Sequence, residues 1–191
     1  MVEGNDWTNR LSFRLALLAI LTALTTVLTM VVSIPIPATQ GYINLGDAGV
    51  LLSGLLLGPL GGIAGGLGSA LADYALGYIH YIPITFVVKG LEGVVTGTIF
   101  WVWKPVRRVE WRLFFALIAG SVVMVSGYLI AETLMYGFAA AIVEVPGNIF
   151  QVTFGSIVGA VAFLSVDRVF KLTFKQNNAS NDIHWFSPRV M

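Results

Sequence analysis

Residues Ile84 to Trp103 read ITFVVKGLEGVVTGTIFWVW, 20 residues with one lysine and one glutamate in an otherwise uncharged, largely apolar run. As a helix such a run is about 30 Å long, the thickness of a bilayer's hydrocarbon layer. Thr85, Lys89, Glu92 and Thr96 recur at i, i+4, i+7 and i+11, so they share one stripe. Lys89 sits roughly 9 Å in from the outer end, where a bare charge costs at least ~2.5 kcal/mol on insertion scales. It must have partners inside a bundle. Glu92 is a same-face neighbour three residues on. Asp73 lies at similar depth in the preceding apolar run. A buried Asp73–Lys89–Glu92 network is therefore expected, either as a structural ion pair fixing register or as part of a site.

The run is the fourth of six. Leu11 to Ser33, Asp47 to Leu57, Gly61 to Ile79, Leu113 to about Phe138 and Asn148 to about Phe170 are the others. Asp47 to Leu57 is short and stops at Gly58-Pro59. Ile34 to Leu45 (IPIPATQGYINL) reads as a loop by its prolines and glycine. His80 to Pro83 is a tight connection, and Ala139 to Gly147, with Glu144 and Pro146, reads as another. The expectation is an all-α integral membrane protein of six transmembrane helices. Residues 1–10 form a cytoplasmic N-terminus, 11–172 the membrane domain, and 173–191 a polar cytoplasmic tail.

Composition agrees. Of 191 residues, 57% are hydrophobic and 11% charged, against about 25% charged in a typical soluble domain. The formal net charge of +1 gives no field that points to nucleic acid. Cysteine is absent and histidine limited to His80 and His184, which excludes thiolate chemistry and a histidine-built metal centre. No P-loop, HExxH or GxSxG pattern occurs, so neither ATP hydrolysis nor an enzyme's nucleophile is indicated.

Six crossings from a cytoplasmic N-terminus put Arg10, Arg14, Lys104, Arg107, Arg108, Arg112, Arg168, Lys171, Lys175 and Arg189 on the inner side. That is ten of the eleven cations, Lys89 being the exception. The positive-inside rule selects this orientation.

Other polar residues gather at the depth of Lys89. Tyr128, Glu132 and Tyr136 are spaced by four near the outer end of the fifth run; Asn148, Gln151 and Gly155 share a face of the sixth; Gln40, Tyr42 and Asn44 approach from the loop. Apolar walls with a few convergent polar groups describe a small-ligand site. Asn44, Glu132, Asn148 and Gln151 are the expected ligand contacts. Tyr42, Tyr78 and Tyr128 are expected as aromatic walls, though Tyr42 and Tyr78, like Tyr81 and Tyr136, also suit an interfacial aromatic belt. Asp73, Lys89 and Glu92 orient the pocket or one another. The pairs Gly61/Gly65, Gly62/Gly66, Gly93/Gly97 and Gly155/Gly159 suit close helix packing. Ala16, Ala19 and Ala23 form a small-residue face on the first helix, for internal packing or for a partner helix. An ion-coupled carrier using Asp73, Lys89 and Glu92 as a proton relay is the competing reading.

Tyr42-Ile-Asn-Leu-Gly-Asp47, Gly58-Pro-Leu-Gly-Gly62, Asp73, Lys89-Gly-Leu-Glu-Gly93 and Pro146-Gly-Asn148 with Gln151 together resemble the S components of energy-coupling factor (ECF) transporters, in the riboflavin-type branch, over about residues 11 to 172. The resemblance implies a non-enzymatic substrate-binding subunit in a prokaryotic plasma membrane. It would capture a vitamin or precursor from outside and dock on a transmembrane T component coupled to two cytoplasmic ATPases. It implies docking through an AxxxA motif, matched by Ala19 and Ala23, and a gate formed by the loop after the first helix, Pro35 to Gly46. It leaves the vitamin open. A flavin ranks first, while a cationic ligand would favour Glu132 and Glu144. The transported vitamin is the only small molecule implied; no cofactor is.

Overall fold

The structure is a computed structural model that describes residues 11–102 and 109–175, with side chains for 11–102 and 111–169. The cations Arg10, Lys104, Arg107, Arg108 and Arg189, with His184 and the tail beyond 175, lie outside the described residues.

Six α-helices and one two-stranded ribbon make the fold: α1 (Leu11–Val31), β1 (Ser33–Ile36), β2 (Gly41–Asn44), α2 (Gly46–Leu57), α3 (Gly61–Leu76), α4 (Ile82–Val102), α5 (Val109–Tyr136) and α6 (Phe138–Lys175). Among the described residues, five helical segments are long and apolar enough to cross a membrane: Leu11–Val31, Gly46–Leu76, Ile82–Val102, Trp111–Tyr136 and Phe138–Val169. The second combines α2 and α3, hinged at the 3-10 turn Gly58–Leu60. The two halves run antiparallel, since Gly61 meets Ser53 and Gly65 meets Val50. With 12 residues α2 is only about 18 Å long. Outward-facing Leu15, Ile20, Leu71, Phe86, Leu91, Ile130 and Phe150 are exposed, the side-chain distribution that lipid solvation calls for.

Two expectations need correction. Ile34 to Leu45 is not a plain loop: it carries a short ribbon on an otherwise all-helical fold. Ser33–Ile36 pairs antiparallel with Gly41–Asn44, placing Ile34 opposite Ile43 and Pro35 opposite Tyr42. β-branched residues favour the ribbon, and a two-stranded ribbon is all edge, so Pro35 needs no ladder partner. Gln40, with φ 54°, turns the chain into β2. Ala139 to Gly147 is likewise not a connection but the early turns of α6, with Pro146 inside the helix. The break lies earlier. Gly137 adopts φ 86° and ends α5, as Gly77 at φ 85° ends α3, and α6 starts at the next residue. Pro146 forfeits one helical hydrogen bond, a local loss the remaining turns tolerate.

Glycine sets the helix spacing. A Cβ at Gly62 would lie 2.5 Å from the Gly90 carbonyl oxygen on α4, and one at Gly54 would lie 2.7 Å from that of Gly93. The four expected glycine pairs all face neighbouring parts of this chain: Gly61/Gly65 face α2, Gly62/Gly66 face α4, Gly93/Gly97 face the hinge region, and Gly155/Gly159 face α2. The end of the bundle away from the ribbon is an apolar core of Leu21, Leu52, Leu55, Leu56, Phe100, Leu113 and Phe163, with Phe100 edge-on to Phe163 at 5.0 Å. The ribbon end is polar.

Candidate functional site

Lys89 is fully buried and its ammonium pairs with Asp47 and, at 3.2 Å, with Glu92 Oε2. Asp47 replaces Asp73 as the cation's partner on the neighbouring helices. It stands at the first turn of α2, where the helix's amide dipoles favour an anion. Its other oxygen accepts from Gln151 Nε2 at 2.6 Å, and Gln151 Oε1 accepts from the Asn44 backbone N–H at 2.7 Å. A continuous chain of bonds thus runs from Lys89 on α4 through Asp47 and Gln151 to β2. Asn44 Oδ1 accepts from the Gly46 N–H at 2.8 Å, tying the ribbon to the start of α2.

Asp73 belongs to a separate contact. Its Oδ1 accepts from the Tyr42 hydroxyl at 2.6 Å, while its buried Oδ2 has no hydrogen-bond partner. Burial, then the Asp73 charge, pushes the Tyr42 phenol up, so it stays an O–H donor. Tyr78 stacks on Tyr42 with ring centroids 4.3 Å apart.

These groups surround a narrow hollow beneath the ribbon, in which the centre of a water molecule could occupy about 20 Å³. Gly41, Tyr42 and Asn44 roof it from β2. Thr29 of α1, with Ser69 and Asp73 of α3, forms one wall; Thr85 and Lys89 of α4 and Tyr128 of α5 form another; Glu144, Asn148 and Gln151 of α6 close it, with Tyr81 at the rim. The Tyr128 hydroxyl donates to Thr85 at 3.1 Å, and its ring lies 5.5 Å from the Lys89 ammonium. Ser69 Oγ and Asn148 Nδ2 are buried without hydrogen-bond partners. The walls stand close together, leaving less room than a ring-sized ligand needs.

Seven of the ten expected site residues line this hollow: Tyr42, Asn44, Asp73, Lys89, Tyr128, Asn148 and Gln151. Three stand behind it. Tyr78 backs Tyr42, Glu92 backs Lys89, and Glu132 lies behind Tyr81, whose hydroxyl is 3.5 Å from Glu132 Oε1. Sequence reasoning missed Thr29, Gly41 and Ser69 as lining. It saw Thr85 only as stripe and Tyr81 only as interfacial, and it placed Glu144 in a connection, as a contact for a cationic ligand alone. The buried Thr25/Thr29 spacing on α1 was the available signal.

The sequence matches the family model described as ECF-type riboflavin transporter, S component, over residues 12–168. The chain belongs to this S-component family. The S component is therefore a multi-pass membrane protein of a transporter family. Among its relatives, a thiamine precursor transporter, HmpT, of Lactococcus lactis subsp. cremoris (strain MG1363) is 34% identical over 157 residues, 81% of this chain and 88% of that one. An uncharacterised protein of Pyrococcus woesei is 44% identical over 131 residues, 68% of this chain and 85% of that one. A solved structure described as the S component of a bacterial ECF transporter superposes with a TM-score of 0.61 at 22% identity, covering 85% of this chain and 99% of the other. That match concerns the fold.

Proposed function

We propose that this S component captures a vitamin or vitamin precursor from outside a prokaryotic cell and presents it, in the plasma membrane, to a T component energised by two cytoplasmic ATPases. The observation that carries the reading is the ribbon-roofed polar hollow in the otherwise apolar bundle of a family whose members are transporter subunits. Tyr42, Asn44, Asp73, Asn148, Gln151 and Tyr128 contact the ligand, Lys89 and Glu92 hold the floor, and the ribbon is the gate. Residues 11–172 form the membrane domain, crossing six times with α2 and α3 as separate passes and with 1–10 and 173–191 cytoplasmic. The distribution of basic residues supports that orientation.

Ala16, Ala19 and Ala23 are exposed on α1, which supports their use as a docking face rather than as internal packing. The Lys89 ammonium is matched by two carboxylates, an arrangement that fits a structural floor better than a proton relay. The vitamin stays between a flavin, favoured by the family description, and a thiamine precursor, favoured by the Lactococcus relative. Calorimetry of the detergent-purified chain against a vitamin panel tests capture. At least one vitamin or precursor binds tighter than about 1 μM, −8.2 kcal/mol; no binding at that level refutes the reading.

A further inference from the structure

The acidic groups around the hollow far outnumber the cations. Asp47, Asp73, Glu92, Glu132 and Glu144 are buried, and the one buried lysine among the described residues, Lys89, is already held by Asp47 and Glu92. Asp73 has the Tyr42 hydroxyl. That leaves Glu132 of α5 and Glu144 of α6, neighbouring acids close enough to interact electrostatically, with the Tyr81 hydroxyl 3.5 Å from Glu132 Oε1. Two ionised carboxylates buried side by side repel, which favours a shared proton on the pair. Glu144 also accepts from the Thr39 hydroxyl, while Glu132 Oε2 is buried with no partner.

This pair reaches the hollow through Glu144, which is on its wall. Gly41 keeps the approach clear: a Cβ there would lie 3.1 Å from Glu144 Oε1 and 3.2 Å from the Tyr81 hydroxyl. Four residues along α6, Asn148 lines the same hollow and is nine-tenths buried, with an unpartnered Nδ2 donor. One end of the site thus offers anionic acceptors and a shareable proton beside an amide donor.

Resting on the capture reading above, we propose that Glu144, backed by Glu132, recognises an amidine-like edge of the ligand, a ring nitrogen flanked by an exocyclic amino group, as in a 4-aminopyrimidine. The amino N–H donates to a carboxylate oxygen. The ring nitrogen takes or shares the proton that the carboxyl pair holds, and Asn148 donates to a second acceptor on the same ring. A flavin's edge, with carbonyl oxygens flanking one N–H, would turn lone pairs toward these carboxylates.

The test titrates the full-length purified chain with 4-amino-5-hydroxymethyl-2-methylpyrimidine, with its 4-oxo counterpart and with riboflavin. The amino compound binds about 100-fold tighter than the oxo compound, the order expected where a buried site is left with unpaired polar groups. Glu144→Gln, with its melting temperature checked, lowers the amino compound's affinity at least about ten-fold and narrows the preference. Amino and oxo compounds binding within about three-fold of each other, a tighter oxo compound, or an unchanged preference in Glu144→Gln overturns the inference. If Glu144→Gln does not fold, the ligand comparison on the unaltered chain decides alone. Tight riboflavin binding without the aminopyrimidine overturns this inference and leaves capture standing. Failure of all three compounds and of every other vitamin tested overturns both.

Discussion

Lys89→Met is the most informative single change, because it separates the ion pair in the structure from the one the sequence predicts. Methionine keeps most of the side-chain volume and removes the ammonium, so Asp47 and Glu92 are left buried together without a cation. Removing one partner of a buried ion pair costs about 3–5 kcal/mol. The escape route is proton uptake, and neutralising one carboxyl at pH 7 from its ordinary solution range costs about 4 kcal/mol. The two routes agree on a loss of ~4 kcal/mol. For a chain of this size each kcal/mol moves the midpoint by roughly 2–4 °C, so melting falls by ~8–16 °C.

Unfolding in mixed micelles of rising sodium dodecyl sulfate fraction, with a thermal melt alongside, measures this. A double-mutant cycle identifies the partner. Adding Asp47→Asn to Lys89→Met removes one orphaned charge and gives a Lys89–Asp47 coupling of about 2 kcal/mol or more, whereas the Lys89–Asp73 cycle gives less than about 1 kcal/mol. A Lys89→Met melt within about 2 °C of the parent refutes the reasoning. So does a larger coupling to Asp73.

Three further outcomes follow from the same geometry. Gln151→Leu cuts the link between Asn44 and Asp47 and leaves a backbone N–H unpaired, a cost of about 1–3 kcal/mol; amide exchange at residues 41–44 accelerates, and unchanged exchange would show that the ribbon is held elsewhere. Tyr42→Phe removes the donor to Asp73 at about 1–2 kcal/mol and weakens ligand binding several-fold, an effect read by calorimetry and contradicted by equal affinity. Ala19→Trp places a large ring on the exposed face of α1. Co-purification with the T component is lost while ligand binding is kept; loss of both, or of neither, would count against docking there.

How much of this was legible depended on whether a residue stood inside an apolar run or at its edge. Lys89 could be read because a charge in mid-span has no cheap explanation, and its stripe partner Glu92 follows from helical spacing alone. Asp47 could not, because an acid at the start of a run looks like a water-facing cap. The packing of α4 and α6 against the first turn of α2 buries it, and that is a tertiary fact. The ribbon itself has four residues per strand, and its prolines and glycine outweighed a short alternation. Glu144 was placed in a connection instead of on a helix by the same punctuation. Pro146 was read as a stop, while the positive-φ turn at Gly137 is where the chain restarts.

The polar groups left at the edges of the runs are the ones that tie down the ribbon. Tyr42 holds it to α3 through Asp73, Asn44 to α6 through Gln151, and Thr39 to α6 through Glu144. Each of these anchors sits on the wall of the hollow, so a ligand that displaces the ribbon must break them. At a net contribution of about 1 kcal/mol per bond, opening costs roughly 3 kcal/mol, which leaves the open form populated at about 1%. That population lowers the apparent affinity by about the same factor, and a first ligand contact that replaces one anchor recovers part of it. Capture and closure therefore draw on the same side chains. A ligand that displaces the ribbon must replace the bonds Tyr42 and Thr39 make to Asp73 and Glu144, and it can also satisfy the unpartnered Asp73 Oδ2. Tight binding follows where the ligand's own donors restore those bonds with the ribbon closed over it.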